Sequence, residues 1–248
     1  MSAYYNEVDR YAAQWLRNLI AANLIAPGDV DERSIIDVRP EDLHGYAQCH
    51  FFAGIGGWSL ALRLAGWPDD QSVWTGSCPC QPFSLAGRGK GFEDSRHLWP
   101  DLYRLVRPSR PPVLMGEQVA NTAGYAWLDM VLADLEAEAY TGRAVDIPSC
   151  SIGSKTPRNR IYWMAHASNE RLARSVAHGQ GLCGGSGQAS TKLRNTGLPV
   201  GLYQPGDPCA VLPPDALSRP VGIVRAFGNA IDPELAAEVI RAYMEATA

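Results

Sequence analysis

The chain has 248 residues, of which 46% are hydrophobic and 19% are charged, and it carries a formal net charge of −4. This length allows one sizeable α/β core with a small additional lobe. No apolar run has transmembrane length, and the acidic balance excludes a protein that coats nucleic acid indiscriminately. No signal peptide is visible, and the six cysteines follow neither a paired-disulfide nor a zinc-binding spacing. We therefore expect a protein of the reducing cytoplasm that binds no metal.

Helices and strands are predicted to alternate along most of the chain, judging from apolar periodicity and from glycine and proline breaks. The predicted elements are, in chain order, a helix over 6–24, a strand over 49–52, a helix over 58–65, strands over 73–75 and 113–115, a helix over 126–139 and a strand over 161–164. This alternation predicts a parallel α/β sheet. Functional residues of such sheets collect at the carboxyl ends of the strands, where a glycine loop, Cys80 and Glu117 all fall.

The remaining segments complete the predicted domain organisation. Residues 1–45 are expected to form an N-terminal helical extension, and residues 46–167 with 220–248 are expected to form a catalytic domain. Residues 168–219 lose periodicity and are rich in glycine, serine and proline, which predicts a small loop-rich region. The chain returns to order over residues 221–244.

Charge is distributed unevenly along the sequence. Residues 155–225 contain nine Lys or Arg against three acids, whereas residues 1–50 contain four arginines against eight acids. A basic face on an acidic body suits a protein that binds phosphate groups on one side. A solvated loop that happens to be basic is the alternative interpretation.

Five short motifs carry most of the functional information. They are, in chain order, Phe52-Ala53-Gly54-Ile55-Gly56-Gly57, Pro79-Cys80-Gln81, Glu117-Gln118-Val119, Arg158-Asn159-Arg160 and Gly228-Asn229-Ala230. The first is a glycine loop of the kind that lets a cofactor approach the backbone closely. In this order the motifs resemble FxGxG, PCQ, ENV, RxR and GNA of the DNA cytosine-5 methyltransferases. The segment from Gly91 to Trp99 is also similar to that family.

The resemblance implies a Rossmann-like, S-adenosylmethionine-dependent methyltransferase sheet, shortened, with a small target-recognition region at 168–219. It implies methyl transfer from S-adenosylmethionine to C5 of a flipped-out cytosine in double-stranded DNA, without a membrane or an obligate protein partner. The setting would be a bacterial or phage-infected cell, with a restriction or phage role. The implied cofactor contacts are Phe52, Ala53, Gly54, Ile55, Gly56, Gly57, Pro79, Leu98, Asn229 and Ala230, and the implied DNA contacts are Gln81, Ser84, Arg88 and Arg96.

The implied chemistry assigns a role to each catalytic residue. A thiolate at Cys80 would attack C6 of the base, which makes C5 nucleophilic and divides one difficult step into two. Glu117 would act as the acid near N3, helped by burial that raises its pKa. Arg160 would lie near O2, with Arg158 supporting the loop. Attack at C6 requires that the base leave the stack.

Each assignment has a structural alternative. Glu117 could be a carboxylate on the surface at a strand end, and one arginine of the RxR pair could face solvent and pair with acids. Cys78 is the neighbour of the nucleophile expected to be only structural. The predicted DNA contacts Ser84, Arg88 and Arg96 could instead cap turns.

The sequence departs from the family pattern between Gly57 and Cys80, where only 22 residues intervene. The family fits two further strands there, whose acidic residues hold the ribose and adenine of the cofactor. Asp69 and Asp70 are the acids available as substitutes, although Pro68-Asp69-Asp70 also reads as a simple turn. We hypothesise that residues 1–45 cover the missing side of the sheet.

Two further positions differ from the family. His50 stands where an acid is usual, and Gln118 replaces an asparagine while keeping its amide. These departures leave alternatives open, namely a catalytically silent DNA-binding relative, an enzyme that uses another one-carbon donor, or one that acts on RNA.

Overall fold

The computed structural model describes residues 2–79, 98–154, 158–168 and 230–247. All of these belong to one compact unit, formed by residues 1–168 and 225–248. None of the described helices is both long enough and apolar enough to cross a membrane.

The described residues form a seven-stranded sheet with the order β2-β1-β3-β4-β5-β7-β6. The strands are β1 (Ser2–Asn6), β2 (Gly28–Asp31), β3 (Tyr46–Phe51), β4 (Val73–Gly76), β5 (Val113–Val119), β6 (Tyr140–Pro148) and β7 (Asn159–Ala167). β1 to β5 run parallel to one another. β7 is antiparallel to both β5 and β6, so the prediction of a wholly parallel sheet is wrong at this end.

Helices cover both faces of the sheet, as expected for an α/β fold. They are α1 (Arg10–Ala21), α2 (Gly57–Ala65), α3 (Trp99–Ser109), α4 (Thr122–Ala137) and α5 (Pro233–Thr247). Buried residues of α3 and α4 share one apolar cluster, and those of α2 and α5 share another. Residues of α1 join a third, smaller cluster that includes Ala53 and Leu60.

The elements predicted around the motifs are confirmed as β3, α2, β4, β5, α4 and β7, with ends that differ by a few residues. The predicted helix over 6–24 is wrong at its start. Residues 2–6 form a strand, and α1 begins only after Asp9, whose carboxylate accepts the N–H groups of Tyr11 and Ala12 at 2.9 and 3.2 Å. An N-cap acid fixes the start of a helix because it satisfies these free donors.

The N-terminal segment is therefore not simply a helical extension. It supplies β1 and β2, which extend the sheet on one side of β3. The interval 58–79 is too short to provide strands at these positions. That interval contains a single strand, β4, as predicted. The sequence interval is short, but the sheet keeps its strands on that side of β3, because β1 and β2 from the start of the chain form them.

Leu16 tests whether α1 is an integral part of the core. Its side chain is fully buried and packs beside the glycine loop, whereas Leu24 is 36% exposed. We expect Leu16→Ala to lower the free energy of unfolding by about 2–5 kcal/mol, since it leaves a cavity, and Leu24→Ala to change it by roughly 0.5 kcal/mol or less. Urea unfolding measures both. Equally small changes in the free energy of unfolding in both variants would mean that α1 packs only loosely against the rest of the core.

Candidate functional site

The glycine loop between β3 and α2 adopts a backbone that few sequences tolerate. Gly54 and Gly56 have φ of 55° and 84°, and Phe52 has φ of 54°. A left-handed conformation at an aromatic residue is strained and persists only where its surroundings enforce it. Such residues concentrate at functional sites, so the loop carries a functional signal beyond its glycine content.

The end of β1 holds the glycine loop in place. The N–H of Ala53 donates to the carbonyl of Asn6 at 3.0 Å, and the N–H of Gly54 donates to Oε2 of Glu7 at 2.7 Å. Oε1 of Glu7 accepts the N–H of Asp9 at 2.9 Å. Glu7 thus places a carboxylate directly beside the loop, at the carboxyl end of the adjacent strand.

Apolar side chains from both ends of the sequence pack against the loop. A Cβ added at Gly56 would lie 3.2 Å from Cδ2 of Leu16 and 3.3 Å from Ile25. A Cβ added at Gly57 would lie 2.8 Å from Cγ1 of Ile231, just before α5. Glycine is required here because backbone and neighbouring side chains approach so closely.

The end of β4 leads towards the predicted nucleophile. Trp58 of α2 donates from Nε1 to Oγ of Ser77 at 2.9 Å, which ties the segment after β4 to the helix after the glycine loop. Cys78 is buried, and burial raises the pKa of its thiol far above the usual range. It is therefore an inert core residue. Pro79 is half-buried.

Several predicted site residues lie outside the described residues. They are Cys80, Gln81, Ser84, Arg88, Arg96 and Asn229. Their roles therefore stay predictions. Leu98 is described, and it precedes α3 as a half-buried side chain packed against the apolar cluster of α3 and α4.

Glu117 lies in β5 and is 8% exposed. Its Oε1 atom lies 2.7 Å from Nε of Arg160, on the antiparallel neighbour β7. The alternative of a surface carboxylate is therefore wrong. Burial raises the pKa of Glu117, and the charges of Arg160 and Arg158 oppose this shift. A buried carboxyl group with a raised pKa can hold a proton at a pH where an exposed one cannot.

The two arginines of the RxR motif lie two residues apart, on the same side of the backbone, and both are half-buried. Neither arginine is therefore fully exposed, and the acid that Arg160 pairs with is itself buried. Arg158 donates from Nη2 to the carbonyl of Ala230 at 2.6 Å, which connects the motif to the segment before α5. Arg160 contacts Glu117 and also donates from Nη1 to its neighbour Asn159 at 2.8 Å.

The acids considered as substitutes in the short interval do not reach this site. Asp69 pairs with Arg63 at 2.7 Å in a turn closed by the N–H of Gln71 and the carbonyl of Pro68. This turn precedes β4 and so lies at the opposite edge of the parallel strands from the glycine loop. The interpretation of Pro68-Asp69-Asp70 as a simple turn is confirmed.

The two other departures have structural explanations. His50 is fully buried, with Nδ1 2.8 Å from Oγ1 of Thr75 and Nε2 3.2 Å from Oε1 of Gln48, and burial lowers its pKa to about 3. It is a neutral core residue. Gln118 accepts the N–H of Val119 on Oε1 at 3.0 Å, and its buried side chain steadies the end of β5.

Glu7 is the site residue that sequence reasoning missed. The signal was present, since Ala3, Tyr4 and Tyr5 form a short buried run followed by an acid and a helix cap. Assigning residues 6–24 to one helix hid this strand–acid–helix pattern. The part of the chain that the structure describes contains no group of three or more side chains able to hold a metal ion.

Comparison with known proteins adds to this geometry. The family model of C-5 cytosine-specific DNA methylases matches residues 66–182. Type II methyltransferase M.HhaI of Haemophilus parahaemolyticus is 29% identical over 167 residues, covering 52% of this chain and 51% of the relative. Type II methyltransferase M.NlaX of Neisseria lactamica is 30% identical over 151 residues, covering 56% of this chain and 48% of the relative.

The chain therefore spans about half the length of the curated relatives that it matches. Among solved structures, the methyltransferase EhMeth of Entamoeba histolytica aligns with 67% of this chain and 45% of its own, at 17% identity and a TM-score of 0.46.

The raised pKa of Glu117 predicts a specific pH dependence of stability. The ordinary pKa of a glutamate is 4.5, and that of Glu117 in the folded protein is higher. Between these two pH values the carboxyl group is ionised in the unfolded chain but protonated in the folded protein. The free energy of unfolding therefore falls as the pH rises through this window. Relative to Glu117→Gln, the free energy of unfolding of the wild type should fall by up to about 1.4 kcal/mol per pH unit over this window. Above the window the difference between the two proteins should stay constant.

Urea unfolding of both proteins from pH 4.5 to 8 measures this difference, with the exposed Glu245→Gln as control. A difference that stays flat with pH would show that Arg160 and Arg158 fully offset the cost of burial.

Proposed function

We propose that this chain, which belongs to the C-5 cytosine-specific DNA methylase family, transfers a methyl group to C5 of a cytosine in double-stranded DNA. One observation carries the proposal most directly. The buried carboxyl group of Glu117 pairs with the half-buried Arg160 on the neighbouring strand, near the segment that leads to Cys80. Burying a carboxyl group is costly and such a pair adds little stability by itself, so a perturbed carboxyl group with a specific charge partner is a candidate for a chemical role.

The first proposed step uses Cys80 as a nucleophile. Its thiolate adds to C6 of the cytosine, and the electron pair of the C5–C6 bond shifts towards N3 and O2. C5 then becomes enamine-like and would take the methyl carbon of the sulfonium donor, while the electron pair of the broken S–CH3 bond stays on sulfur and the donor leaves as a neutral thioether. Loss of the C5 proton to a base and departure of the thiolate from C6 restore the aromatic ring and free Cys80.

Glu117 and Arg160 stabilise the charge that develops on the base. A carboxyl group that keeps its proton can donate to N3, and burial favours that protonated form at Glu117. Arg160 contacts the same carboxyl group through Nε and so orients the acid. The positive charge of its guanidinium group would also stabilise negative charge that develops on O2. Arg158 holds the strand to the segment before α5 through Ala230.

The residues present fit S-adenosylmethionine, which supplies the methyl carbon when bound. The glycine loop offers a backbone without Cβ atoms at Gly54 and Gly56, both with positive φ. Glu7 presents a carboxylate that suits a ribose diol, and the aliphatic side chain of Val8 is 66% exposed beside it, where it suits a purine face. Glu7, directly after β1, therefore offers beside the loop an acid that Asp69 and Asp70 of the short interval do not.

This fit bears on the alternative of a catalytically silent DNA-binding relative. The main argument for that alternative was the shortened cofactor half. β1 lies next to β3 and Glu7 lies beside the glycine loop, so the shortened interval does not leave this side of the loop without a strand or an acid, which favours an enzyme. We infer further that Gln81 and Ser84, next to Cys80, help to hold the flipped-out nucleotide, and that Arg88 and Arg96 contact phosphate groups.

Glu7 provides a direct test of the cofactor site. We expect Glu7→Gln to weaken binding of S-adenosylmethionine about 10- to 100-fold, because an amide offers one neutral acceptor where the carboxylate offers two charged ones. The amide oxygen can still accept the N–H of Gly54, and the exposed N–H of Asp9, which loses its carboxylate acceptor, can bond to water, so the loop should stay folded. Isothermal titration calorimetry measures the affinity.

The exposed Glu41 provides the matched control, since Glu41→Gln removes a charge from the same N-terminal segment. Unchanged affinity in Glu7→Gln would remove Glu7 from the site. Equal loss in both variants would point to net charge rather than to a specific contact.

Transfer of tritiated methyl from S-adenosylmethionine to unmethylated duplex DNA tests the activity itself. We expect label in DNA as 5-methylcytosine, and a loss of at least about 1,000-fold in Cys80→Ala because the covalent step is removed. Cys78→Ala is the control, since its thiol is buried and inert. No label with DNA binding retained would refute the enzyme and favour the silent relative or another donor.

A further inference from the structure

Arg158 lies directly before β7, and Arg160 and Tyr162 of β7 project towards the same face of the sheet. The first two contact Ala230 and Glu117, as described above. Tyr162 has no role in the chemistry proposed so far, although it lies directly opposite Glu117 in the β5–β7 ladder.

Tyr162 is 1% exposed, and its ring packs edge-on against Trp58 with centroids 6.2 Å apart. Its hydroxyl has no hydrogen-bond partner among the described residues. The backbone N–H of Asp232 approaches this hydroxyl without reaching hydrogen-bond geometry. A buried O–H group without an acceptor is costly, so its retention calls for an explanation.

The complementary group lies across the strand. Oε1 of Glu117 is also buried; it lies 2.7 Å from Nε of Arg160 as an ion pair, but it accepts no well-formed hydrogen bond among the described residues. Directly opposed residues of antiparallel strands have Cβ atoms about 5 Å apart, within reach of a phenol and a carboxyl group. A phenol donor without an acceptor therefore faces a carboxyl oxygen that can still accept a hydrogen bond.

We propose that Tyr162 is a positioning residue for Glu117, whose hydroxyl donates to Oε1 directly or through one buried water molecule and so sets the pH at which this carboxyl group releases its proton. A single water can bridge such groups when it finds enough polar partners. Tyr162 thereby holds the carboxyl group on one side, while Arg160 holds it on the other.

The surrounding charges define the expected direction. Arg158 and Arg160 from β7 and Asp232 from the segment before α5 face the same pair, and α2 contributes the ring of Trp58. Burial raises the pKa of Tyr162, and the charges of Glu117 and Asp232 raise it further, so the phenol stays protonated and able to donate. A donor to a carboxylate favours its charged form, so removing the hydroxyl should raise the pKa of Glu117.

The first test needs no enzymatic activity. The pH at which Glu117 titrates is obtained from the difference in unfolding free energy between proteins with Glu117 and Glu117→Gln, measured in the wild-type and Tyr162→Phe backgrounds. We expect this midpoint to move up by roughly half to one pH unit in Tyr162→Phe. Tyr140→Phe is the matched control, because it removes a buried hydroxyl that donates to the carbonyl of Pro111, away from the site.

A second variant keeps the test valid if Tyr162→Phe does not fold. Replacement of Tyr162 by 3-fluorotyrosine makes the phenol a stronger donor with little change in shape, and it should move the midpoint down. An unchanged midpoint in both variants would overturn the proposal, as would an equal shift in Tyr140→Phe.

The kinetic test rests on the proposed function. In single-turnover methyl transfer, the loss of activity on the alkaline side should move to higher pH in Tyr162→Phe by the same amount, with the affinity for S-adenosylmethionine unchanged. Methyl transfer whose pH profile does not move would overturn the role of Tyr162 and leave the function standing. A shifted midpoint without any methyl transfer would support the role of Tyr162 and refute the function.

Discussion

The antiparallel pairing of β5 with β7 is the constraint on which the surroundings of Glu117 depend. It places Glu117 opposite Tyr162 and beside Arg160 on one face of the sheet. Side chains of a strand alternate between the two faces of the sheet. A shift of the β5–β7 register by one residue would therefore turn the carboxyl group of Glu117 towards the apolar cluster of α3 and α4. Gly116 helps to fix this register, because a Cβ there would lie 2.4 Å from the ring of Trp163. The acid is therefore positioned by packing on the opposite face as much as by its own contacts.

The glycine loop depends on contacts from segments that are distant in the sequence. The glycine loop is tied to β1 by Asn6 and Glu7 and packed against Leu16, while Ile231 approaches it from the segment before α5. That segment is in turn bound by Arg158, two residues from the arginine that contacts Glu117. A continuous set of contacts thus links the strained loop to the buried acid, and a disturbance on one side would be transmitted to the other through β7.

Local patterns predicted the elements that carry the motifs, because periodicity and glycine breaks are read within a few residues. The burial of Glu117 and a supporting role for Arg158 were implied only by the family resemblance, and the contact of Arg158 with Ala230 was not predicted. The pairing of Glu117 with Arg160 could not be predicted, since it follows from an antiparallel register and the sequence indicated parallel strands. Glu7 was missed for a related reason. Its function depends on which strand lies next to β3, and strand order arises from long-range pairing that no short window of sequence contains.

β1 is an interior strand even though it starts at the second residue, because β2 and β3 bond to its two edges. It enters the sheet at the margin opposite the glycine loop and runs towards that loop. Residues joined ahead of Ser2 would leave from this distant margin, away from the glycine loop. Removing β1 would instead withdraw a strand from within the sheet and remove the support of the loop. The protein should thus tolerate residues added ahead of Ser2 but not the loss of residues 2–6.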